Sequence, residues 1–324
     1  MKTKIVYVLV STDSDIYLEQ LWVSMFSLKS YNPDSHIVLV TDMETSARLK
    51  YDSCKELIKF IDEIVEQGFD PKVSGKERSR YLKTNLRCLI SGDFLFIDTD
   101  TIITGDLSKI DTVKSDVSIV LDLHCQLNNH PYEKTIRKLI RTLYGGDLKE
   151  GTNYFNSGVM LVRDTPKAHT FFAKWHNNWL EAKGKKHGIQ DQQSLAFTIN
   201  DTDVVEPLDG IYNCQILGSI EYLAKAKIVH FFNNQWFGEA LSPFFDKNFY
   251  LEIKEKGCLT DEIQRLILNC KSSFVSPSMP IGREDMKLCV SPSFKMLRVI
   301  SRHQGILKVM NKFSSLLLKL TGNI

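Results

Sequence analysis

The sequence predicts an α/β protein in which helices flank a single, mainly parallel, twisted sheet, followed by a helical C-terminal extension. Apolar runs typical of buried strands alternate with helical patterns through the N-terminal part of the chain, which is the signature of a doubly wound parallel sheet. One of these runs, Phe94–Ile97, leads directly into Asp98 and Asp100. Residues 286–324 carry seven Lys or Arg and no acidic residue, with apolar residues at helical spacing.

The composition is that of an ordinary globular protein. Of the 324 residues, 43% are hydrophobic and 25% are charged, which is enough apolar material for a full core. We therefore expect one large domain with an appendage. The formal net charge is only +2, so the overall charge gives no reason to predict a nucleic-acid partner.

The cysteines and the N-terminus both bear on the compartment. Seven cysteines are present, an odd number without the Cys-x-x-Cys or Cys/His spacing of a zinc site, and they predict a reducing environment. Two lysines precede the apolar run 5–10, but this run is short for a signal peptide and predicts a first buried strand instead. No stretch of the sequence approaches the length of a membrane span. These features predict a cytoplasmic protein.

The N-terminal elements follow from apolar spacing and from turn residues that end each run. The chain contains neither a G-x-G-x-x-G nor a G-x-x-x-x-G-K-[ST] pattern, so neither dinucleotide binding nor P-loop chemistry is indicated. Before Asp98, the predicted elements are a strand at 5–10, a helix at Tyr17–Tyr31, a strand at 37–40 and helices at 44–60 and 76–90.

The second half of the chain contains further strands and helices around a long polar stretch. Long irregular segments inside compact domains are usually functional, so we expect 124–152 to contribute to ligand specificity. The predicted elements are a strand at Val117–Leu121, an irregular stretch at 124–152, a strand at 153–162, a helix around 171–179, a helix opening at 188–193, and a strand at 226–232 followed by the polar segment 233–237.

The pattern Asp98-Thr99-Asp100 has a specific chemical meaning at the end of a strand. In an open α/β sheet, ligands bind outside the carboxyl ends of the strands. Two carboxylates there can hold Mg²⁺ or Mn²⁺ against a diphosphate, because hard oxygen ligands suit these cations. The alternative is an ordinary turn, since Asp and Thr are common turn residues.

Several motifs in a fixed order resemble the retaining, metal-dependent glycosyltransferases of family eight, the group that includes glycogenin and bacterial lipopolysaccharide galactosyl- and glucosyltransferases. The resemblance covers roughly residues 3–240. It rests on Ser27-Leu28-Lys29-Ser30-Tyr31-Asn32-Pro33, Phe96-Ile97-Asp98-Thr99-Asp100, Tyr154-Phe155-Asn156-Ser157-Gly158-Val159, Asp191-Gln192 and Val229-His230-Phe231.

This resemblance implies the A-type nucleotide-diphospho-sugar transferase fold, with the sugar nucleotide at the carboxyl edge of the sheet and a cation bridging protein and diphosphate. Asp98, Asp100 and His230 would bind the metal, Mn²⁺ or Mg²⁺. A histidine inside an apolar strand is otherwise more often a satisfied core residue. Asp191 and Gln192 would line the reactive face of the anomeric carbon, although Asp191 could instead cap a helix.

The same resemblance implies a uridine-diphosphate sugar as the donor. Asn156 would contact the donor sugar or the acceptor, while Arg80 and Lys83 would steady the diphosphate, unless they only solvate a helix face. The remaining residues expected to bind the nucleotide are Ser11, Thr12, Asp13, Thr41, Asp42, Asp98 and Thr99. Many members also carry a phosphate-binding Lys after the metal-binding His, whereas this chain has Asn233-Asn234-Gln235-Trp236.

The expected function is metal-dependent transfer of a hexose, from UDP-glucose or UDP-galactose, to a glycan or lipopolysaccharide-type acceptor in a bacterium, with retention of configuration. One rival is a haloacid-dehalogenase-like phosphohydrolase, because Asp98-Thr99-Asp100-Thr101 also fits that nucleophile motif. The other rival is a catalytically silent protein that binds a sugar nucleotide or a glycan.

The predicted domain organisation is a catalytic domain at 1–260 and a basic, helical extension at 261–324. The catalytic domain divides into a nucleotide-binding half, about 1–105, and an acceptor-side half, about 106–260. A basic amphipathic helix within 286–324 can lie on an anionic membrane surface. The alternative for this helix is packing against the catalytic domain or a partner subunit.

Overall fold

The structure is a computed structural model that describes residues 1–216, 221–231, 242–274, 291–300 and 303–320. The chain forms two compact units, Met1–Phe274 and Val275–Ile324. The segment 233–237 and part of the C-terminal extension lie outside the described residues. Of the helices that are described, none is both long and apolar enough to cross a membrane.

The strands of the first unit form a large and a small sheet. They are β1 Lys4–Leu9, β2 Ile37–Asp42, β3 Glu63–Gln67, β4 Phe94–Ile97, β5 Thr101–Ile103, β6 Val117–Leu121, β7 Phe155–Val162, β8 Val205–Pro207, β9 Cys214–Gln215 and β10 Ile228–His230.

The large sheet has seven strands in the order β3-β2-β1-β4-β7-β6-β8. β1 runs parallel to β2 and β4, β2 runs parallel to β3, and β6 runs parallel to β8. β7 runs antiparallel to both of its neighbours, β4 and β6. The predicted mainly parallel sheet is therefore confirmed. The small sheet, in the order β5-β10-β9, was not predicted, and neither was β3.

The helices of the first unit flank the large sheet. They are α1 Tyr17–Tyr31, α2 Met43–Leu49, α3 Lys55–Ile58, α4 Gly75–Thr84, α5 Leu86–Leu89, α6 Glu133–Tyr144, α7 Pro166–Ala182, α8 Asp191–Ile199, α9 Lys247–Lys256 and α10 Asp261–Leu268. The second unit contains α11 Pro292–Ile300 and α12 Gln304–Leu320. The predicted helix at 44–60 is divided into α2 and α3, and the one at 76–90 into α4 and α5.

The stretch 124–152 is not irregular throughout, because α6 occupies its centre. The helix buries Ile136, Ile140 and Leu143, which lie on one face at helical spacing. It ends at Gly145, whose φ of 74° places this residue in the left-handed region that favours glycine. The polar residues between the apolar positions concealed this helix from the sequence analysis.

Both faces of the large sheet are covered, which explains the continuous apolar runs of its central strands. Along β1, Tyr7 and Leu9 belong to one buried cluster and Val6 to the cluster on the other face. Phe172 and Trp175 of α7 belong to the same cluster as Val6. Because β1, β2 and β4 run parallel to one another, their carboxyl ends lie at the same edge of the sheet, where an α/β sheet binds its ligands.

The first compact unit extends beyond residue 260. Ile263 and Ile267 of α10 are buried in the core cluster that also contains Leu21 and Leu28 of α1. Because α10 contributes to this core, the unit ends at Phe274 rather than before Asp261. The division into nucleotide-binding and acceptor-side halves stays a prediction.

Replacing Ile140 tests the packing of α6. The side chain is fully buried, so Ile140→Ala should lower the free energy of unfolding by about 3 kcal/mol through lost burial and a cavity. Lys138→Ala, at an exposed position of the same helix, should change it by less than about 0.5 kcal/mol. Urea unfolding measures both values, and equal values would contradict the packing of this helix.

Candidate active site

Three potential metal ligands meet where β4 leads into the small sheet. Asp98 and Asp100 follow β4, and the chain then enters β5, which pairs antiparallel with β10 so that Thr101 lies opposite His230. The amide of Phe231 donates to the carbonyl of Asp100 at 3.0 Å. This pairing places one ligand atom from each of Asp98, Asp100 and His230 within 4.8 Å of the others.

Two basic side chains of α4 lie among the carboxylates. Lys83 Nζ lies 3.1 Å from both carboxylate oxygens of Asp98 and 3.4 Å from Oδ2 of Asp191. Arg80 Nε lies 2.8 Å from Oδ1 of Asp191. Positions three apart share a helix face, so α4 presents both cations to the same cleft. Lys83 is therefore a buried bridge between the carboxylate that follows β4 and the one that begins α8.

Asp191 is held as an anion at the start of α8. Burial by itself would raise the pKa of this carboxyl, but Lys83, Arg80 and a hydrogen bond from Ser157 hold it well below its usual range. Ser157 Oγ donates to Oδ2 of Asp191 at 2.7 Å. Gln190, not Asp191, occupies the N-cap position of this helix. The carboxylate of Asp191 thus serves the ion cluster rather than the alternative capping role.

The pKa values of two metal-ligand candidates, Asp98 and His230, are both raised, but for different reasons. Burial raises the pKa of Asp98, and the charge of Lys83 opposes that rise. Burial by itself would lower the pKa of His230, but Asp100 reverses the direction, and the net result is a raised pKa. The cause is contact, since His230 Nε2 lies 3.2 Å from Asp100 Oδ1. The charged form of the His230 imidazole is therefore stabilised by the carboxylate of Asp100, which is itself a candidate metal ligand.

These groups line one cavity of about 500 Å³. It brings together eight side chains that the sequence analysis selected, namely Arg80, Lys83, Asp98, Asp100, Asn156, Asp191, Gln192 and His230. The lining also includes Ser157, Gly158, Gln190 and Gln193. Ser157 and Gly158 belong to the Tyr154–Val159 motif, and the two glutamines flank Asp191-Gln192. Their place within or beside these motifs is the sequence feature that indicates them.

The remaining residues expected to bind the nucleotide are not among the described residues that line this cavity. Thr41 Oγ1 donates to the carbonyl of Leu9 at 2.7 Å. Asp42 caps α2 and pairs with Arg78 at 2.6 Å. Ser11 donates to Asp15, whereas Asp13 pairs with Arg48. Many of these polar groups already have partners within the fold, and their contact with a nucleotide stays a prediction, as does that of Thr99.

The donor set fits a divalent cation. Carboxylates suit Mg²⁺ and Mn²⁺, and an added imidazole favours a transition metal such as Mn²⁺. Gly158 on β7 gives His230 the space to approach, because a Cβ at this position would lie 2.2 Å from Cε1 of His230. The carbonyl of Gly158 also accepts the amide of Asp98 at 2.7 Å. One glycine therefore positions two of the three candidate ligands.

The fold and the site together define the class of this protein. A mainly parallel sheet, interrupted by one antiparallel strand and carrying an Asp-x-Asp pair at its carboxyl edge, is the A-type glycosyltransferase fold. Residues 8–236 match the profile of Glycosyl transferase family 8, and the chain belongs to that family. The family resemblance seen in the sequence is confirmed.

Individual relatives are more distant. A "Putative glycosyltransferase" of Haemophilus influenzae (strain Rd) is 25% identical over 202 residues, covering 58% of this chain and 57% of the relative. The solved structure of the bifunctional glycosyltransferase WbbM has a TM-score of 0.51 at 16% identity, covering 82% of this chain and 51% of that chain. This chain therefore spans just over half the length of both proteins.

A further structural neighbour matches over its whole length. The galactosyltransferase LgtC, solved in complex with donor and acceptor sugar analogues, has a TM-score of 0.51 at 15% identity. The alignment covers 82% of this chain and 100% of that chain. At this identity the likeness shows the fold, and the expected A-type fold is confirmed.

Replacing Gly158 tests the close packing of His230 against β7. Gly158→Ala should lower the free energy of unfolding by about 1–3 kcal/mol, because the new methyl group overlaps a buried ring. Gly146→Ala is the control, since its Cβ would lie 3.9 Å from Phe197 and needs no displacement. Denaturant unfolding compares the two. A Gly158→Ala protein as stable as the control would contradict this position of the histidine ring.

Proposed function

We propose that this chain is a metal-dependent glycosyltransferase that moves a hexose from UDP-glucose or UDP-galactose to a glycan or lipopolysaccharide-type acceptor with retention of configuration. The observation that carries the proposal is the cluster of Asp98, Asp100 and His230 in the same cavity as Arg80 and Lys83. A sugar nucleotide needs this combination, because its diphosphate is bound by a cation and by basic side chains.

Asp98, Asp100 and His230 would hold the ion, Mn²⁺ or Mg²⁺. A cation bound there neutralises negative charge that develops on the departing diphosphate. Lys83 adds a fixed positive charge that needs no reorganisation during the reaction, because Asp98 and Asp191 already hold its ammonium group. Arg80, which is more exposed than Lys83, is the better placed of the two to reach the phosphates.

The electrostatics of Asp191 favour a stabilising role. A carboxyl with a pKa well below its usual range is a weak base, so Asp191 is poorly suited to remove the proton of the acceptor hydroxyl. Its negative charge can instead stabilise the oxocarbenium-like transition state of glycosyl transfer. The departing phosphate would then take the acceptor proton on the same face, with Gln192 orienting the sugar. A covalent intermediate on Asp191 is the alternative mechanism.

The rival phosphohydrolase has lost its support. Its motif, Asp98-Thr99-Asp100-Thr101, lies in a chain that belongs to glycosyl transferase family 8. A catalytically silent binder would keep the same cavity, so turnover has to be measured separately from binding.

The decisive experiment screens nucleotide sugars for thermal stabilisation and for slow release of UDP, with and without Mn²⁺. We expect one UDP-sugar to raise the melting temperature only when the metal is present. Asp100→Asn should remove this metal dependence and lower turnover by about 100-fold or more, because metal-ligand substitutions remove several kcal/mol of charge stabilisation. Asp52→Asn, at an exposed residue paired with Lys55, is the matched control and should behave as wild type.

Three outcomes separate the possibilities. Metal-dependent stabilisation with release of UDP supports the transferase. Stabilisation without turnover on any acceptor or on water would identify a silent binder. Full activity of Asp100→Asn would overturn the metal assignment.

We also propose that the C-terminal unit associates peripherally with the anionic inner face of a membrane, where a lipid-linked glycan acceptor would be found. Six exposed apolar residues of α12 share one face at 100° per residue, whereas the exposed Leu318 lies on the opposite side. Lys308, Lys312 and Lys319 project from the other side of this helix. A basic amphipathic helix of this kind binds anionic lipid. The apolar face comprises Ile306, Val309, Phe313, Leu316, Leu317 and Leu320.

A pair of double variants tests this membrane proposal. Phe313→Glu with Leu317→Glu places two charges on the apolar face and should weaken binding to vesicles that contain anionic lipid by about tenfold or more. Asn311→Glu with Ser315→Glu adds the same charge to the polar face and should weaken binding less. Cosedimentation with vesicles measures both. Equal losses, or no binding by the wild-type chain, would favour packing of this helix on protein.

A further inference from the structure

A continuous series of buried and partly buried hydrogen bonds leads away from the candidate metal ligand His230. Its Nδ1 lies 2.9 Å from Asn213 Oδ1, and Asn213 Nδ2 donates to Asn156 Oδ1 at 3.0 Å. Asn156 Nδ2 donates to Asp122 Oδ1 at 2.9 Å, and His130 Nε2 lies 3.0 Å from Asp122 Oδ2. The series joins five side chains that come from separate segments of the sequence.

The direction of each bond is fixed by a backbone amide, which can only donate. The amide of Gly158 donates to Asn156 Oδ1 at 3.0 Å, so this atom is an oxygen and the Asn156 amide nitrogen faces Asp122. Asn213 must then donate with its nitrogen to Asn156, which turns its own oxygen toward His230. An oxygen at 2.9 Å requires a proton on Nδ1 of His230.

The far end of the series has the same polarity. The amide of Tyr132 donates to Nδ1 of His130 at 3.1 Å, so His130 carries its proton on Nε2 and donates it to Asp122. Asp122 therefore accepts from both sides and terminates the series. A carboxylate can accept several hydrogen bonds, so each hydrogen bond of the series joins a donor to an acceptor.

We propose that Asn213, supported by Asn156 and Asp122, is a positioning residue that holds a proton on Nδ1 of His230 and so leaves Nε2, which lies 3.2 Å from Asp100 Oδ1, as the nitrogen that can bind a cation. This inference rests on the proposed metal site. Metal-binding histidines usually donate the opposite ring N–H to such a partner, and losing it typically costs 10–100-fold in metal affinity. Asn213 is fully buried, so water cannot readily replace its oxygen.

The same geometry changes what Asn156 can do. Its Oδ1 accepts from both Gly158 and Asn213, and one hydrogen of its Nδ2 is donated to Asp122. An amide has two lone pairs and two hydrogens, so a single N–H remains for a ligand in the cavity. Asn156 therefore acts first as a link in the positioning series and can offer at most one hydrogen bond to a sugar.

The experiment uses the full chain labelled with ¹⁵N-histidine. The Nδ1–H of His230 is buried and hydrogen-bonded, so it should give an exchange-protected NMR signal that disappears in His230→Gln. Asn213→Ala should lose this signal, and its dissociation constant for Mn²⁺, measured from the EPR signal of the free ion, should rise about 10–100-fold. Asp122→Asn keeps the shape of the side chain but turns an amide N–H toward a donor, either Asn156 Nδ2 or His130 Nε2. This variant should also weaken the His230 signal and raise the dissociation constant for Mn²⁺.

The control is Asn32→Ala, which removes another buried asparagine. Asn32 donates to the carbonyl of Gly105 and accepts the amide of Leu107, so its loss should lower stability without changing the His230 signal or the affinity for Mn²⁺. If Asn213→Ala does not fold, Asp122→Asn decides the question with the same two readouts.

The outcomes separate this inference from the proposed metal site. Persistence of the Nδ1–H signal in the variants, or its equal loss in Asn32→Ala, overturns the positioning role. An unchanged Mn²⁺ affinity in Asn213→Ala, where the wild type binds the ion, overturns it as well. A signal that depends on Asn213 in a wild-type chain that binds no Mn²⁺ supports the positioning of His230 and refutes the metal site.

Discussion

The arrangement of the site depends on the buried ammonium group of Lys83. It lies between Asp98 and Asp191, two carboxylates that would otherwise repel each other in a place with little water. Removing one partner from a buried ion pair leaves an uncompensated charge, which is strongly destabilising. Among the described residues that line this cavity, three carboxylates lie beside the two permanently charged side chains Lys83 and Arg80, so one negative charge is in excess while the imidazole of His230, which contacts Asp100, is neutral. A bound cation, or a protonated His230, offsets it.

The backbone of β7 supplies the second constraint. At Gly158 it accepts the amide of Asp98, donates to Asn156 and leaves room for the ring of His230. A strand inserted antiparallel between β4 and β6 is what brings this residue beside Asp98. The antiparallel direction of β7 thus determines the positions of Asp98, Asn156 and His230 through the backbone of Gly158.

Much of the fold could be predicted from the sequence because strands that are buried on both faces are apolar throughout. The strand β3 was not predicted because it lies at the edge of the sheet, where Glu63 and Glu66 interrupt the apolar pattern. The strand β10 lies within the strand predicted at 226–232, whereas β5 and β9 are only two or three residues long, too short for any periodicity. Their pairing depends on contacts between distant segments.

The site residues that could be predicted are those whose pattern lies within a few neighbouring positions of the sequence. Asp98 and Asp100 are two residues apart at the end of an apolar run, so chemistry alone indicated them. His230 required a family resemblance, because its position beside Asp100 arises from the pairing of β5 with β10. Asn213 gave no signal at all, since an isolated Asn before a very short strand is indistinguishable from a turn residue. Its importance lies in a hydrogen-bond direction that only the assembled backbone fixes.

The two halves of the cleft are physically connected. Asp98 belongs to the candidate metal cluster and Asp191 to the face expected to meet the sugar, yet both are held by one ammonium group. In a buried site, charges that share a counterion cannot change independently, because screening by water is weak. Any charge that binds beside Asp98 therefore alters the hold of Lys83 on Asp191. The electrostatic state of Asp191 thus depends on what binds beside Asp98.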